Sequence, residues 1–132
     1  AKNPDEHSLM YIGQSVEPNG IAIARGDDRW FDIVRWTVNL LIWAEHNGIN
    51  QANVDEKRKS GTKEQRRVLG EDGAFGRALG LADDWAYQVI KQIGNYGEIW
   101  QRNLGSDTPI KAERRLNELY KQGGLLFPLP WD

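Results

Sequence analysis

A chain of 132 residues with 39% hydrophobic content is the length of one domain, and six tryptophans supply the apolar area that its modest hydrophobic share would otherwise lack. The formal net charge of −2 gives no electrostatic reason to expect nucleic acid or an acidic membrane surface as partner. With no cysteine, a disulfide framework and a thiolate metal site are both excluded.

The first residues are polar, and Ala1-Lys2-Asn3-Pro4-Asp5 does not read as a signal peptide. Leu9–Ile12 and Ile21–Ala24 read as two short strands. Glu17-Pro18-Asn19-Gly20 between them is a turn signal, because proline presets one dihedral and Asn-Gly tolerates positive φ. Asp27 or Asp28 then caps a long helix that ends near Gly48. Trp30, Phe31, Ile33, Val34, Trp36, Val38, Leu40, Leu41, Ile42, Trp43 and Ala44 cover more than one stripe of it, as in a helix buried between two layers. The apolar run from Ile33 to Ala44 falls short of the ~20 residues that span a bilayer, so membrane insertion is not expected.

Shorter helices follow. Asn50 is positioned to cap one that runs to about Lys59, and Thr62 with Gln65 makes a capping-box pattern for the next. Gly70, Gly73, Gly76 and Gly80 punctuate a broken stretch. Asp83 is expected to cap a helix through Trp85, Ile90 and Ile93, with Gly94-Asn95-Tyr96-Gly97 bending or breaking it before Ile99 and Leu104. Thr108-Pro109 predicts a last helix carrying Ile110, Leu116, Leu119 and Tyr120 and stopping at Gly123-Gly124. The tail from Leu125 to Trp131 is expected to be extended and docked. The whole reads as one domain, mainly α with a short N-terminal β element: residues 1–26 form the β segment and residues 27–132 a helical region with an extended tail.

Sites of chemistry are scarce. His7 and His46 lie on different elements without acidic partners at metal spacing, and no serine sits in a nucleophile elbow. Asp27-Asp28, Glu71-Asp72 and Asp83-Asp84 are accounted for as helix starts. The glycines from Gly70 to Gly80 follow no hydrophobic strand and lack the Gly-Lys-Ser/Thr of a phosphate loop. Lys57-Arg58-Lys59 and Arg66-Arg67 fit a solvated face better than a nucleic-acid site. No enzyme activity, cofactor or metal is therefore expected. Asn95-Tyr96-Gly97-Glu98 costs helix stability where it stands, which fits a close approach of two helices or a functional joint.

Several ordered strings carry a family resemblance. They are Gly26-Asp27-Asp28-Arg29-Trp30-Phe31-Asp32-Ile33-Val34-Arg35-Trp36-Thr37, Ala52-Asn53-Val54-Asp55-Glu56, Arg67-Val68-Leu69-Gly70, and Ile90-Lys91-Gln92-Ile93-Gly94-Asn95-Tyr96-Gly97-Glu98-Ile99 followed by Arg102-Asn103-Leu104-Gly105. With them the chain resembles the C-terminal portion of general L-amino-acid-binding periplasmic proteins, the solute-binding components of amino-acid ABC transporters. Val16, Asn19 and the tail Phe127–Trp131 depart from the family pattern. The resemblance implies a periplasmic protein of two α/β lobes joined by hinge strands, with residues around Leu9–Arg25 returning through the hinge into the first lobe. The family's N-terminal half is not matched, so the resemblance implies a truncated or partial solute-binding protein. The alternative is a repurposed interaction or dimerisation module without small-molecule affinity. An amino acid is the expected ligand, and a homodimer or a complementing polypeptide the expected cover for the apolar helix. Ser15, Glu17 and Arg25 are the candidate ligand-binding residues, Glu17 for an ammonium group and Arg25 for a carboxylate.

Overall fold

In the computed structural model of the chain, which describes residues 3, 6–8, 10 and 19–131, five short α-helices and two short 3₁₀ turns follow a long first helix and gather at its C-terminal half. That helix, α1, spans Asp28–His46. Asp27 starts it by accepting a hydrogen bond from the Trp30 amide at 2.9 Å, as its place in the sequence predicts. Gly48, at φ 65°, ends it: the Gly48 amide bonds the Glu45 carbonyl and the Ile49 amide bonds the Ala44 carbonyl, while the Ile49 side chain is buried beneath. The same paired bonds recur after α3 (Lys63–Val68) and α4 (Phe75–Ala78), at Gly70 and Gly80. The glycine-punctuated stretch is thus a series of helix stops.

The other helices depart from the sequence reading by a residue or a few. The second, α2, spans Val54–Ser60 and begins at Asn53 rather than Asn50. Asn50 and Asn53 bond each other's backbone amides with their side chains, so the predicted cap lies in the turn ahead of the helix. Thr62 and Gln65 form the predicted capping box of α3. Asp84, not Asp83, precedes α5 (Trp85–Ile93), because the Asp83 carboxylate is bonded instead to Arg77 at 3.1 Å. The chain breaks between α5 and α6 (Tyr96–Asn103), where Asn95 and Glu98 form a second capping box.

The predicted helix after Thr108-Pro109 does not form. The Thr108 hydroxyl accepts from the Ile110 amide at 3.2 Å, and the Ala112 amide turns back to the Leu104 carbonyl at 2.7 Å. Lys111 and Arg115 then take φ of 48° and 49°, which the interior of a right-handed α-helix does not contain. What remains is Arg115–Asn117 and Tyr120–Gln122 as 3₁₀ turns, joined to the tail by a parallel bridge between Leu119 and Leu126. At the N-terminal end, Ile21–Ala24 forms no strand among the described residues, and Leu9–Ile12 lies outside them except for Met10.

The core joins Leu40, Trp43 and Ala44 of α1 to Ile49, Val54, Val68, Leu69, Trp85, Ala86 and Ile90. The tail completes it, as expected. Trp131 is 5% exposed and meets Trp36, Phe75 and Trp43 at ring-centroid distances of 5.0, 5.3 and 6.0 Å. Asn39, buried in α1, fastens the same segment by accepting from the Leu129 amide at 2.7 Å, and Arg67 donates to the Trp131 carbonyl. A second tie is ionic. Arg114 grips both carboxylate oxygens of Glu45, also donates to the Asn117 carbonyl at 2.8 Å, and lies over the Tyr96 ring, with side chains only 12% and 15% exposed.

Two outcomes follow for stability. Trp131→Ala removes the aromatic wedge and should cost ~3 kcal/mol in urea unfolding, with a large change in tryptophan fluorescence. Arg114→Met leaves Glu45 largely buried without its partner and should cost ~3 kcal/mol, whereas the double change with Glu45→Met should recover part of that loss. Equal loss in the single and double variants would show that the pair is not coupled.

Candidate functional site

Of the three residues singled out for ligand binding, Ser15 and Glu17 lie outside the described residues. Arg25 is exposed on the turn that leads into α1, next to Gly26 at φ 88°. Among the described residues it has no hydrogen-bonded or ionic partner, and it lies at the N-terminal end of α1.

The Asn95–Glu98 segment is a structural joint. The Glu98 carboxylate accepts from the Asn95 amide at 2.8 Å and from the Gln51 amide at 3.3 Å. The Asn95 side chain accepts from the Glu98 amide and donates to the Ile49 carbonyl at 2.8 Å, so it is spent on fixing α6 against the end of α1. The sequence conflict noted here is resolved by two helices meeting end to end. A further exposed cluster joins Asp55 to Tyr87 and Lys91 across α2 and α5. Lys91 and Tyr87 hold the Asp55 carboxyl below its ordinary value by hydrogen bonding to its charged form. Among the described residues no three histidine, aspartate or glutamate side chains gather as a metal site would require.

The N-terminal half of α1 contributes no buried residue among the described residues. All four buried residues of this helix fall between Asn39 and Ala44, and none falls in the first eleven positions. Two apolar stripes run along it. Ile33, Trp36, Leu40 and Trp43 form the first, which turns toward Trp131 and the core. Phe31, Val34, Val38 and Ile42 form the second, with Trp30 beside it. Phe31 and Trp30 are each 50% exposed and Ile21, just upstream, is 67% exposed. The helix packs on α5 and α6. Next to the first stripe a cleft of about 270 Å³ opens between Trp36, Phe75, Ala78, Leu79 and Trp131. Arg29 ties the start of α1 to the chain beside this cleft by donating to the carbonyls of Leu79 and Gly80, the latter at 2.8 Å. This contiguous apolar face at the Arg25 end of the molecule is suited to holding another layer of protein. The sequence signal for it was the excess of apolar residues on α1, which one layer of short helices cannot cover.

No protein-family model matches the chain. It is 50% identical over 131 residues to the general L-amino acid-binding periplasmic protein AapJ of Rhizobium johnstonii, covering 98% of this chain and 38% of that protein. It is 45% identical over 129 residues to the putative amino-acid ABC transporter-binding protein YhdW of Escherichia coli, again 38% of the relative. It is also 42% identical over 118 residues to the glutamate/glutamine/aspartate/asparagine-binding protein BztA of Rhodobacter capsulatus, 35% of its length. A solved ABC transporter periplasmic binding protein from Brucella ovis, with glutathione bound, superposes with a TM-score of 0.90 at 47% identity, over 97% of this chain and 40% of that one. The chain thus spans about two fifths of the length of these relatives. The chain is homologous, over nearly all of its own length, to one portion of the periplasmic binding proteins of amino-acid ABC transporters.

Proposed function

We propose that the chain is the helical flank of one lobe of a periplasmic amino-acid-binding protein, and that it serves solute uptake by completing that lobe rather than by catalysing a reaction. The observation that carries this reading is the half-exposed pair Trp30 and Phe31 at the start of α1, ahead of apolar residues that are only partly buried, in a chain that matches 38% of its relatives' length. The larger remainder of such a protein is the natural occupant of that face, because a helix apolar on two stripes needs a layer on each. The stripe of Phe31, Val34 and Val38 would pack on the lobe's sheet. Two copies of the chain pairing through the same stripe are the competing occupant.

The ligand class follows from chemistry shared among the relatives' named ligands. Glutamate, glutamine, aspartate, asparagine and glutathione each carry an α-ammonium beside an α-carboxylate. A site for them needs a fixed cation and a fixed anion or acceptor. Arg25, exposed and without a partner among the described residues, is our choice for the carboxylate. Glu17 is our choice for the ammonium, and Ser15 for an accessory hydrogen bond.

The test is co-expression of this chain with the portion of AapJ that it does not match, followed by native mass spectrometry and amino-acid titration. A one-to-one complex that retains an amino acid is expected, and Phe31→Asp should abolish its assembly. Within that complex Arg25→Ala should weaken amino-acid binding by roughly 10- to 100-fold, the worth of a hydrogen bond to a charged group. A stable homodimer that ignores the AapJ portion and binds no amino acid would overturn the proposal in favour of a dimerisation module.

A further inference from the structure

The last helical residue of α1, His46, sits where the C-terminal segment folds back onto the core. Its ring stacks on Tyr120 at a centroid distance of 5.6 Å and an interplanar angle of 17°, and Tyr120 in turn leans on Phe127 at 5.1 Å. The segment is clipped to the same residue by its backbone, since the Lys121 ammonium donates to the His46 carbonyl at 3.2 Å. Around these contacts, the Tyr120 amide bonds the Leu126 carbonyl and the Leu126 amide bonds the Glu118 carbonyl. One atom in this arrangement stands out: His46 Nδ1 is sealed from solvent and has no hydrogen-bond partner among the described residues.

That atom makes the contact sensitive to protonation. A neutral imidazole can leave Nδ1 as an unprotonated lone pair and carry its proton on Nε2. The imidazolium must place a proton on Nδ1 as well, where no acceptor among the described residues stands to receive it. The charged groups that face the ring oppose one another. The Lys121 ammonium on the returning segment repels a second cation, whereas Glu64 on α3 attracts one. Burial outweighs both and, with Lys121, holds the His46 imidazole below its ordinary value of 6.5.

We propose that His46 is an acid-sensitive latch, whose neutral ring holds the segment from Leu119 to Phe127 against the end of α1 and whose protonation releases it. Its direction follows from linkage. The unfolded or undocked chain takes up the proton first as pH falls, so the docked state has its full stability above about 6.5 and loses it below that value. Release would loosen the Leu119–Leu126 bridge and slacken the tail that carries Trp131 into the aromatic cleft. The helices α2 and α5 contain no part of the latch and should stay folded.

Two measurements on the intact chain test this. Proton–nitrogen NMR should show His46 titrating at lower pH in the folded chain than in the same chain in urea. Hydrogen exchange between pH 7.5 and 5.5, corrected for the intrinsic rate, should show faster opening at the Tyr120 and Leu126 amides while those of α5 are unchanged. His46→Gln should make the opening of the segment independent of pH over that range. Tyr120→Leu, which keeps the histidine but removes its stack, should bring the His46 titration closer to that in urea. A His46 that titrates alike in folded and urea-unfolded chain, or a pH-dependent opening that survives His46→Gln, would overturn the proposal.

Discussion

Burial of Leu40, Trp43 and Ala44 in the C-terminal half of α1 is the constraint on which the remaining architecture rests. The α5 and α6 helices pack on this helix, α2 packs on α3 and α5, and the tail reaches it through Asn39 and Trp131. No sheet among the described residues supplies a rigid layer. The helices α2 to α6 are four to nine residues long, too short to hold together on intrinsic propensity. Their order comes from caps, from glycine-terminated ends and from a single shared apolar surface. Gly70 illustrates how tight that arrangement is. A Cβ there would stand 2.1 Å from the Asp83 carbonyl, in a backbone already at φ 79°. The stop of α3 and the approach to α5 therefore depend on the absence of one side chain.

The same helix divides the molecule into a finished end and an unfinished one. Around its last turns, polar groups are paired with care: Glu45 with Arg114, Asn95 with Ile49 and Glu98, Gln51 with Glu98. Around its first turns, Trp30 and Phe31 are half exposed and Arg25 has no partner among the described residues. Exposed aromatics rimmed by polar residues are the mark of an interaction face. The relatives, with more than twice the length of this chain, have additional protein to set against that face. The well-paired end and the open end therefore lie at opposite ends of one helix, and Arg25 falls at the open end.

Much of this was legible from local chemistry. Asp27 and the Thr62–Gln65 pair act as caps because a short oxygen-bearing side chain before an apolar run has one favoured use. Gly48, Gly70 and Gly80 stop helices for an equally local reason. The departures arose where contacts beyond the adjoining turn decide. Asp83 looked like a cap but is taken by Arg77, and Thr108-Pro109 looked like a helix start but is drawn back by the Ala112–Leu104 bond. The docking of the tail was foreseeable from its apolar content, whereas its seat among Trp36, Trp43 and Phe75 was not, because nothing near position 131 encodes residues so far away in sequence. Glu45 and Arg114 escaped notice for the same reason, being 69 positions apart. For the candidate site, the structure gives Arg25 an open position; Ser15 and Glu17 lie outside the described residues.

The central claim is that the N-terminal half of α1 is the face on which the rest of a binding protein rests. Hydrogen–deuterium exchange of α1, measured with the chain alone and then with the unmatched portion of AapJ, addresses it most directly. The account predicts fast exchange from Trp30 to Val38 in the isolated chain, slow exchange from Leu40 to Glu45, and strong slowing of the first group alone when the AapJ portion is added. Equal protection of both halves in the isolated chain, or no change in the first half on addition, would contradict it.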